Sequence, residues 1–227
     1  MCLICDGDDL SELTDLDCGS CPLITSIPVL PNLIYLVCVN CPLLTSIPML
    51  PNLTHLNCED CQSLTNIPML PNLVHLYCVD CPSLTSIPVL PNLTHLICGR
   101  CQSLTSIPVL PNLTLLDCGR CQSLTSIPVL PNLTHLYCSD CASLISIPVL
   151  PTLTNLDCIG CTWIINNNND YDSNITRLTV IQKWAKKMLL VNALVRRSVH
   201  IVPYWYHPCA HGGYFHKKRM LKELMNM

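Results

Sequence analysis

THLNCEDCQSLTNIPMLPNL, residues 54–73, recurs down most of the chain with only a few letters changed, and its reading decides the fold. Aligned on Leu-x-x-Leu-x-Cys, the units start at Leu13, Leu33, Leu53, Leu73, Leu93, Leu113, Leu133 and Leu153, a spacing of 20 residues every time. A fixed period of this size marks a solenoid, in which one coil cannot bury its apolar edge alone and stacking builds a continuous core.

The chemistry of a single unit agrees. Leu56 and Cys58 alternate with His55 and Asn57, the period-2 pattern of a short strand with one face buried. Two prolines per unit, such as Pro68 and Pro71, then exclude a helix on the return arm, because each fixes φ and removes an N–H. That arm is expected to be extended or polyproline-like. Coils stacked at about 4.8 Å would let eight strands span on the order of 35 Å.

The letters LxxLxC, a Cys three residues on, a Leu, and then IPxLPN resemble the leucine-rich repeat family, in its short class of 20-residue units. The resemblance covers about residues 13–161, with Cys61 at the position of the family's Asn/Cys ladder. It implies an α/β leucine-rich-repeat solenoid: a right-handed stack with a curved parallel β-sheet on the concave side and an extended or polyproline convex side. Residues 1–12 would be an N-terminal cap, residues 162–174 an Asn-rich linker, and residues 175–227 a basic, α-helical C-terminal tail.

Of the 19 cysteines, 16 fall on the 20-residue lattice, from Cys18 and Cys21 through Cys158 and Cys161. The Cys58-x-x-Cys61 spacing is also one that zinc sites use, and zinc needs four ligands converging at about 2.3 Å. Yet the lattice runs on without pausing after every second unit, and a chain of ions would have to occupy the space packed by Leu53, Leu56, Leu64, Ile67 and Leu70. A thiol is small, apolar and a weak donor, which suits a packed strand position and a coil turn alike. Disulfides between coils are geometrically conceivable but need an oxidising compartment. Structural thiols are the expected reading, and no cofactor is expected.

On the strands, the outward positions form two columns. The first reads Asp15, Tyr35, His55, His75, His95, Leu115, His135, Asn155, and the second Asp17, Val37, Asn57, Tyr77, Ile97, Asp117, Tyr137, Asp157. Tyrosine is favoured at interface hot spots, and exposed apolar side chains in a cluster signal contact with another molecule. The candidate partner-binding residues are therefore Tyr35, Val37, His55, Asn57, His75, Tyr77, His95, Ile97, His135 and Tyr137. Arg100 and Arg120, just beyond the strands, could pair with an acidic partner. Protonation of His55, His75 and His95 near pH ~6 would add like charges along one column and weaken a cationic partner.

Charge divides the chain. Residues 1–169 hold 12 acids and 2 bases, a balance of −10, while residues 170–227 hold 3 acids and 10 bases, a balance of +7. The N-terminus has neither a basic n-region nor a long apolar h-region, so no signal peptide is expected and the protein reads as intracellular rather than secreted. No apolar run approaches the length of a membrane span. The sequons at Asn52, Asn92, Asn112, Asn132 and Asn174 would then not meet a glycosylation enzyme.

In the tail, Leu178, Ile181, Trp184, Met188, Val191 and Val195 recur at helical spacing, with basic residues largely elsewhere. Such a helix could cap the solenoid, bind a second partner (IQKWAKK is similar to the start of an IQ motif), touch an anionic membrane surface weakly, or bind nucleic acid, of which the last is not favoured. His207, Cys209, His211 and His216 could ligate zinc, though HxCxH is not a common ligand spacing. The ending YHP…GGYFHKK resembles endings on repeat proteins of large amoeba-infecting DNA viruses, which would place the protein in a host cytoplasm or a virion.

No nucleophile–base constellation, phosphate-cradling glycine loop or carboxylate dyad can be placed, so catalysis is not expected. The expected function is a non-enzymatic protein–protein interaction module that binds a protein partner on the concave face. The alternatives are a zinc protein using the CxxC lattice or the tail, and a purely structural repeat protein.

Overall fold

The computed structural model describes residues 12–148 and 150–161, together with Ile4 and Leu10. Most of the expected cap, the Asn-rich linker 162–174 and the expected helical tail 175–227 lie outside the described residues.

Eight three-residue strands follow one another: β1 (Asp15–Asp17), β2 (Tyr35–Val37), β3 (His55–Asn57), β4 (His75–Tyr77), β5 (His95–Ile97), β6 (Leu115–Asp117), β7 (His135–Tyr137) and β8 (Asn155–Asp157). They form one parallel sheet in sequence order, and every residue pairs with the one 20 positions further on, as in His55↔His75 and Leu56↔Leu76. This is the class that the sequence period pointed to, a parallel β-solenoid of short coils. Backbone bonds lace each step, such as Cys58 N to Tyr77 O at 2.8 Å and His75 N to Thr54 O at 3.1 Å.

Along one coil the buried residues are Leu53, Leu56, Cys58, Cys61, Leu64, Ile67 and Leu70, with Leu73 beginning the next. After the strand, burial recurs at every third residue, which is the period of an extended backbone with three residues per turn. The return arm accordingly carries no helix, only isolated parallel bridges such as Asn66↔Ser86. Between the core residues it exposes a row of apolar side chains that includes Met49, Met69, Val89 and Val109. Ile4, Leu10 and Leu13 are partly buried against the core, and so are Ile147, Leu153 and Leu156 near the far end of the described coils.

The second turn residue of each Cys-x-x-Cys takes a left-handed backbone: Ser20, Asn40, Asp60, Asp80, Arg100, Arg120, Asp140 and Gly160 all have positive φ. Asn, Asp and Gly tolerate this conformation; arginine, at φ 60° in Arg100 and 61° in Arg120, is less suited to it.

Both cysteines of each unit are buried and none of the 16 described is in a disulfide. The second thiol donates back to the carbonyl of the first cysteine of the preceding coil: Cys61 Sγ to Cys38 O at 3.0 Å, Cys81 Sγ to Cys58 O at 3.1 Å, Cys101 Sγ to Cys78 O at 3.0 Å. A buried carbonyl at the end of each strand from β1 to β7 thus finds a donor, which explains why a cysteine rather than a plain apolar residue stands there. The Cys81 thiol and burial together hold the Cys58 thiol well above its ordinary pKa, and burial pushes Cys158 up to about 12. Such thiols stay protonated at neutral pH and are poor nucleophiles.

Candidate functional site

The sheet's outward face holds all ten expected partner-binding residues. Tyr35, His55, His75, His95 and His135 occupy the first position of β2, β3, β4, β5 and β7, and Val37, Asn57, Tyr77, Ile97 and Tyr137 the third. Leu36, Leu56 and their equivalents between them point into the core. Register brings eight of the ten together on β2–β5, whereas Leu115 and Asp117 on β6 separate His135 and Tyr137 from the rest. In that second group Asn155 Nδ2 donates to the Tyr137 hydroxyl at 3.2 Å.

From Tyr35 to His95 the first column is a continuous run of ring contacts, stacked as far as His75 and tilted at His95. Tyr35 lies over His55 with centroids 4.4 Å apart and planes 26° apart, His55 over His75 at 4.4 Å and 22°, and His75 beside His95 at 4.7 Å and 30°. Parallel spacing by one coil, together with the flat rings, produces this geometry. The imidazoles do not converge on a point, and among the described residues no group of three or more His, Cys, Asp or Glu side chains is placed to hold a metal ion.

The residue before each imidazole sets its hydrogen bonding. Thr54 Oγ1 lies 2.8 Å from His55 Nδ1, Thr94 Oγ1 2.8 Å from His95 Nδ1 and Thr134 Oγ1 2.9 Å from His135 Nδ1. Each hydroxyl also donates to the carbonyl one coil back, as Thr54 Oγ1 does to Ile34 O at 3.2 Å. With its one proton on the carbonyl, the threonine oxygen accepts from Nδ1–H, so that Nε2 is left as the outward acceptor. His75 is the exception. Val74 precedes it, and its buried Nδ1 has no hydrogen-bond partner. Burial, then the neighbouring His55 and His95, push the His75 pKa down.

Both arginines that the sequence offered to an acidic partner also make ion pairs within the coils. Arg100 Nη1 sits 3.0 Å from Asp80 Oδ2 and Arg120 Nε 3.5 Å from Asp140 Oδ2, each bridging neighbouring coils. One functional candidate escaped the sequence reading altogether. Glu59, two residues past the end of β3, reaches the face and lines a hollow of about 330 Å³ with Tyr35, Val37, His55, Asn57 and Tyr77. Its carboxylate has no hydrogen bond or ion pair within the described residues. Burial, followed by the nearby Asp60 and Asp80, raises its pKa.

Beside the face runs a larger groove of about 920 Å³, lined by a ladder of Asn and Thr side chains from Asn52 to Thr152. Its asparagines hold the coils together, since Asn52, Asn72 and Asn92 donate from Nδ2 to Pro31 O, Pro51 O and Pro71 O at 2.8, 2.8 and 2.9 Å. The Asn of each Asn-x-Thr triplet there ties one coil to the last.

The geometry defines a β-solenoid with a patterned aromatic and polar sheet face. The chain matches no protein-family model and no curated protein. Among the described residues no helix is long and apolar enough to cross a membrane.

Proposed function

We propose that the protein is a non-enzymatic interaction module of the leucine-rich-repeat kind, binding a protein partner on the outward sheet face. The observation that carries this reading is the contiguous surface on β2–β5: four rings in successive contact beside Val37, Tyr77 and Ile97, on strands held in register by the coils. Rigid, partly exposed aromatic side chains give contact area with little ordering cost, the property of interface hot spots. The 20-residue LxxLxC…IPxLPN units and the ladder-like second cysteine support the family assignment. On this reading the ending YHP…GGYFHKK points to a viral protein at work in a host cytoplasm or carried in a virion.

The test is quantitative affinity capture with three chains: the unaltered protein, Tyr77→Ala/Tyr137→Ala on the face, and Val109→Ser on the exposed return arm. A partner that the face variant loses and the arm variant keeps supports the proposal. One retained equally by all three, or lost only with Val109→Ser, refutes it.

A further inference from the structure

The face is uneven along the stack. Val37 and Asn57 are short, and the hollow of about 330 Å³ lies over them. Tyr35 and His55, stacked at 4.4 Å, line it from the neighbouring column, Tyr77 lines it from the next coil, and Glu59 completes the lining beyond the strand end. Three rings and one carboxylate therefore surround a space wide enough for a single long side chain.

We propose that this hollow receives a lysine or arginine side chain of the protein partner, with the cation held among Tyr35, His55 and Tyr77 and with Glu59 as its counter-ion. The inference rests on the sheet face being the binding surface, and it names the chemistry that face selects. Aromatic rings attract a cation placed against them, and a carboxylate at the same spot adds direct charge pairing. A neutral occupant would bury Glu59 further with no compensation, and an anionic one would meet Glu59 and Asp60 together.

Three further observations agree. Burial, then the nearby Asp60 and Asp80, raise the Glu59 pKa, and neither Lys nor Arg is among the residues that line the hollow. Both arginines of the described coils are already engaged, with Asp80 and Asp140, and those coils contain no lysine. The surrounding field is negative as well, since residues 13–161 hold eight acids against those two bases. Long-range attraction and local pairing thus select the same partner charge.

The experiment titrates the full chain with Nα-acetyl-lysine methylamide and follows the ring signals of Tyr35, His55 and Tyr77 by NMR. Nα-acetyl-norleucine methylamide, of similar length without the charge, is the control. Glu59→Gln and Asp60→Asn each remove one negative charge from adjacent positions. Both should fold: Val39 and Val79 stand where Glu59 does, and Asn40 has φ 54° at the place equivalent to Asp60. The expected result is a saturable shift of the three rings by the lysine probe only. Glu59→Gln should weaken it by about fivefold or more, the scale of a single ion-pair or cation–π contact, and Asp60→Asn by less than about twofold. Equal weakening by both variants would mean general attraction to an acidic surface, and no saturable shift would mean that the hollow takes no free cation; either overturns the proposal. A partner lost with Tyr77→Ala/Tyr137→Ala but indifferent to Glu59→Gln would leave the face as the interface and overturn the cation alone.

Discussion

Val74→Thr should stabilise the protein, against the usual sign of that substitution. Replacing a packed valine methyl with a hydroxyl ordinarily costs stability, because it is not a conservative swap despite equal volume. Here the site is prepared for the hydroxyl. At the equivalent places Thr54, Thr94 and Thr134 each bond the following imidazole at 2.8–2.9 Å and donate to a carbonyl one coil back. In Val74→Thr the same geometry offers Thr54 O as acceptor and His75 Nδ1 as the second partner, relieving the one buried side-chain polar atom without a bond among the described residues. Two bonds at about 0.5–1.5 kcal/mol each, less roughly 0.8 kcal/mol for the lost methyl burial, leave a net gain of about 1 kcal/mol. For a body of this size that raises Tm by about 2–4 °C. The assay is urea and thermal unfolding of four chains: unaltered, Val74→Thr, His75→Leu and the double variant, with Leu115 as the precedent for leucine in that column. The cycle should show a coupling of about 1 kcal/mol between the Val74→Thr substitution and the His75 imidazole. A loss of stability in Val74→Thr, or an equal effect with and without the imidazole, would refute the reasoning.

Three other perturbations follow from the same geometry. Cys81→Ala removes the donor to Cys58 O and leaves a small void, and should cost about 2–3 kcal/mol, whereas Cys81→Ser keeps a donor and should cost distinctly less; urea unfolding compares them. Arg120→Gly relieves a left-handed arginine at the expense of an exposed ion pair to Asp140, and should raise the urea midpoint by an amount equivalent to about 0.5–1 kcal/mol. Because the folded His75 pKa lies below the ordinary imidazole value of about 6.5, the unfolded chain binds the extra proton first. Stability attributable to this group is therefore complete above pH ~6.5 and is lost as the pH falls toward the folded value, and the drop in Tm between pH ~7.5 and ~5 should shrink in His75→Leu.

How far the sequence carried the structure differs from residue to residue. The period was legible because the core letters Leu53, Leu56, Leu64, Ile67 and Leu70 recur at a fixed 20-residue spacing, with Ile24 in place of leucine in the first unit, and strand register in a solenoid is simply that period. The outward columns followed from alternation across three strand residues. What lay hidden depends on side-chain direction between coils. The histidine column could be written down, but the stacking of Tyr35 onto it and the pairing of each imidazole with the preceding threonine could not, since both need a rotamer as well as a register. The left-handed turn position is signalled by Asn40 and Asp60 but masked by Arg100 and Arg120, which carry no such preference. The ion pairs of those arginines were hidden because their partners, Asp80 and Asp140, are 20 residues away in sequence and one coil away in space. Glu59 stood outside the strand columns and was missed for that reason alone.

The second cysteine of each pair was placed at the ladder position from the repeat letters, but those letters do not say what it bonds. The structure supplies the acceptor, the carbonyl of the first cysteine one coil earlier. The two thiols of one unit serve two different coil junctions, with Cys61 Sγ donating back to Cys38 O and Cys58 Sγ donating forward to Tyr77 O.

The packing role of the cysteine lattice is tested most directly by counting thiols and metal together on the full chain, purified under reducing conditions without chelator. Of 19 cysteines, the 16 in the described coils are buried and unbridged. The native protein at pH ~7 should therefore expose no more than three to a thiol reagent, the denatured protein should expose all 19, and no zinc should accompany the chain in stoichiometric amount. Rapid reaction of many native thiols, or stoichiometric zinc released as lattice cysteines become reactive, would contradict that role.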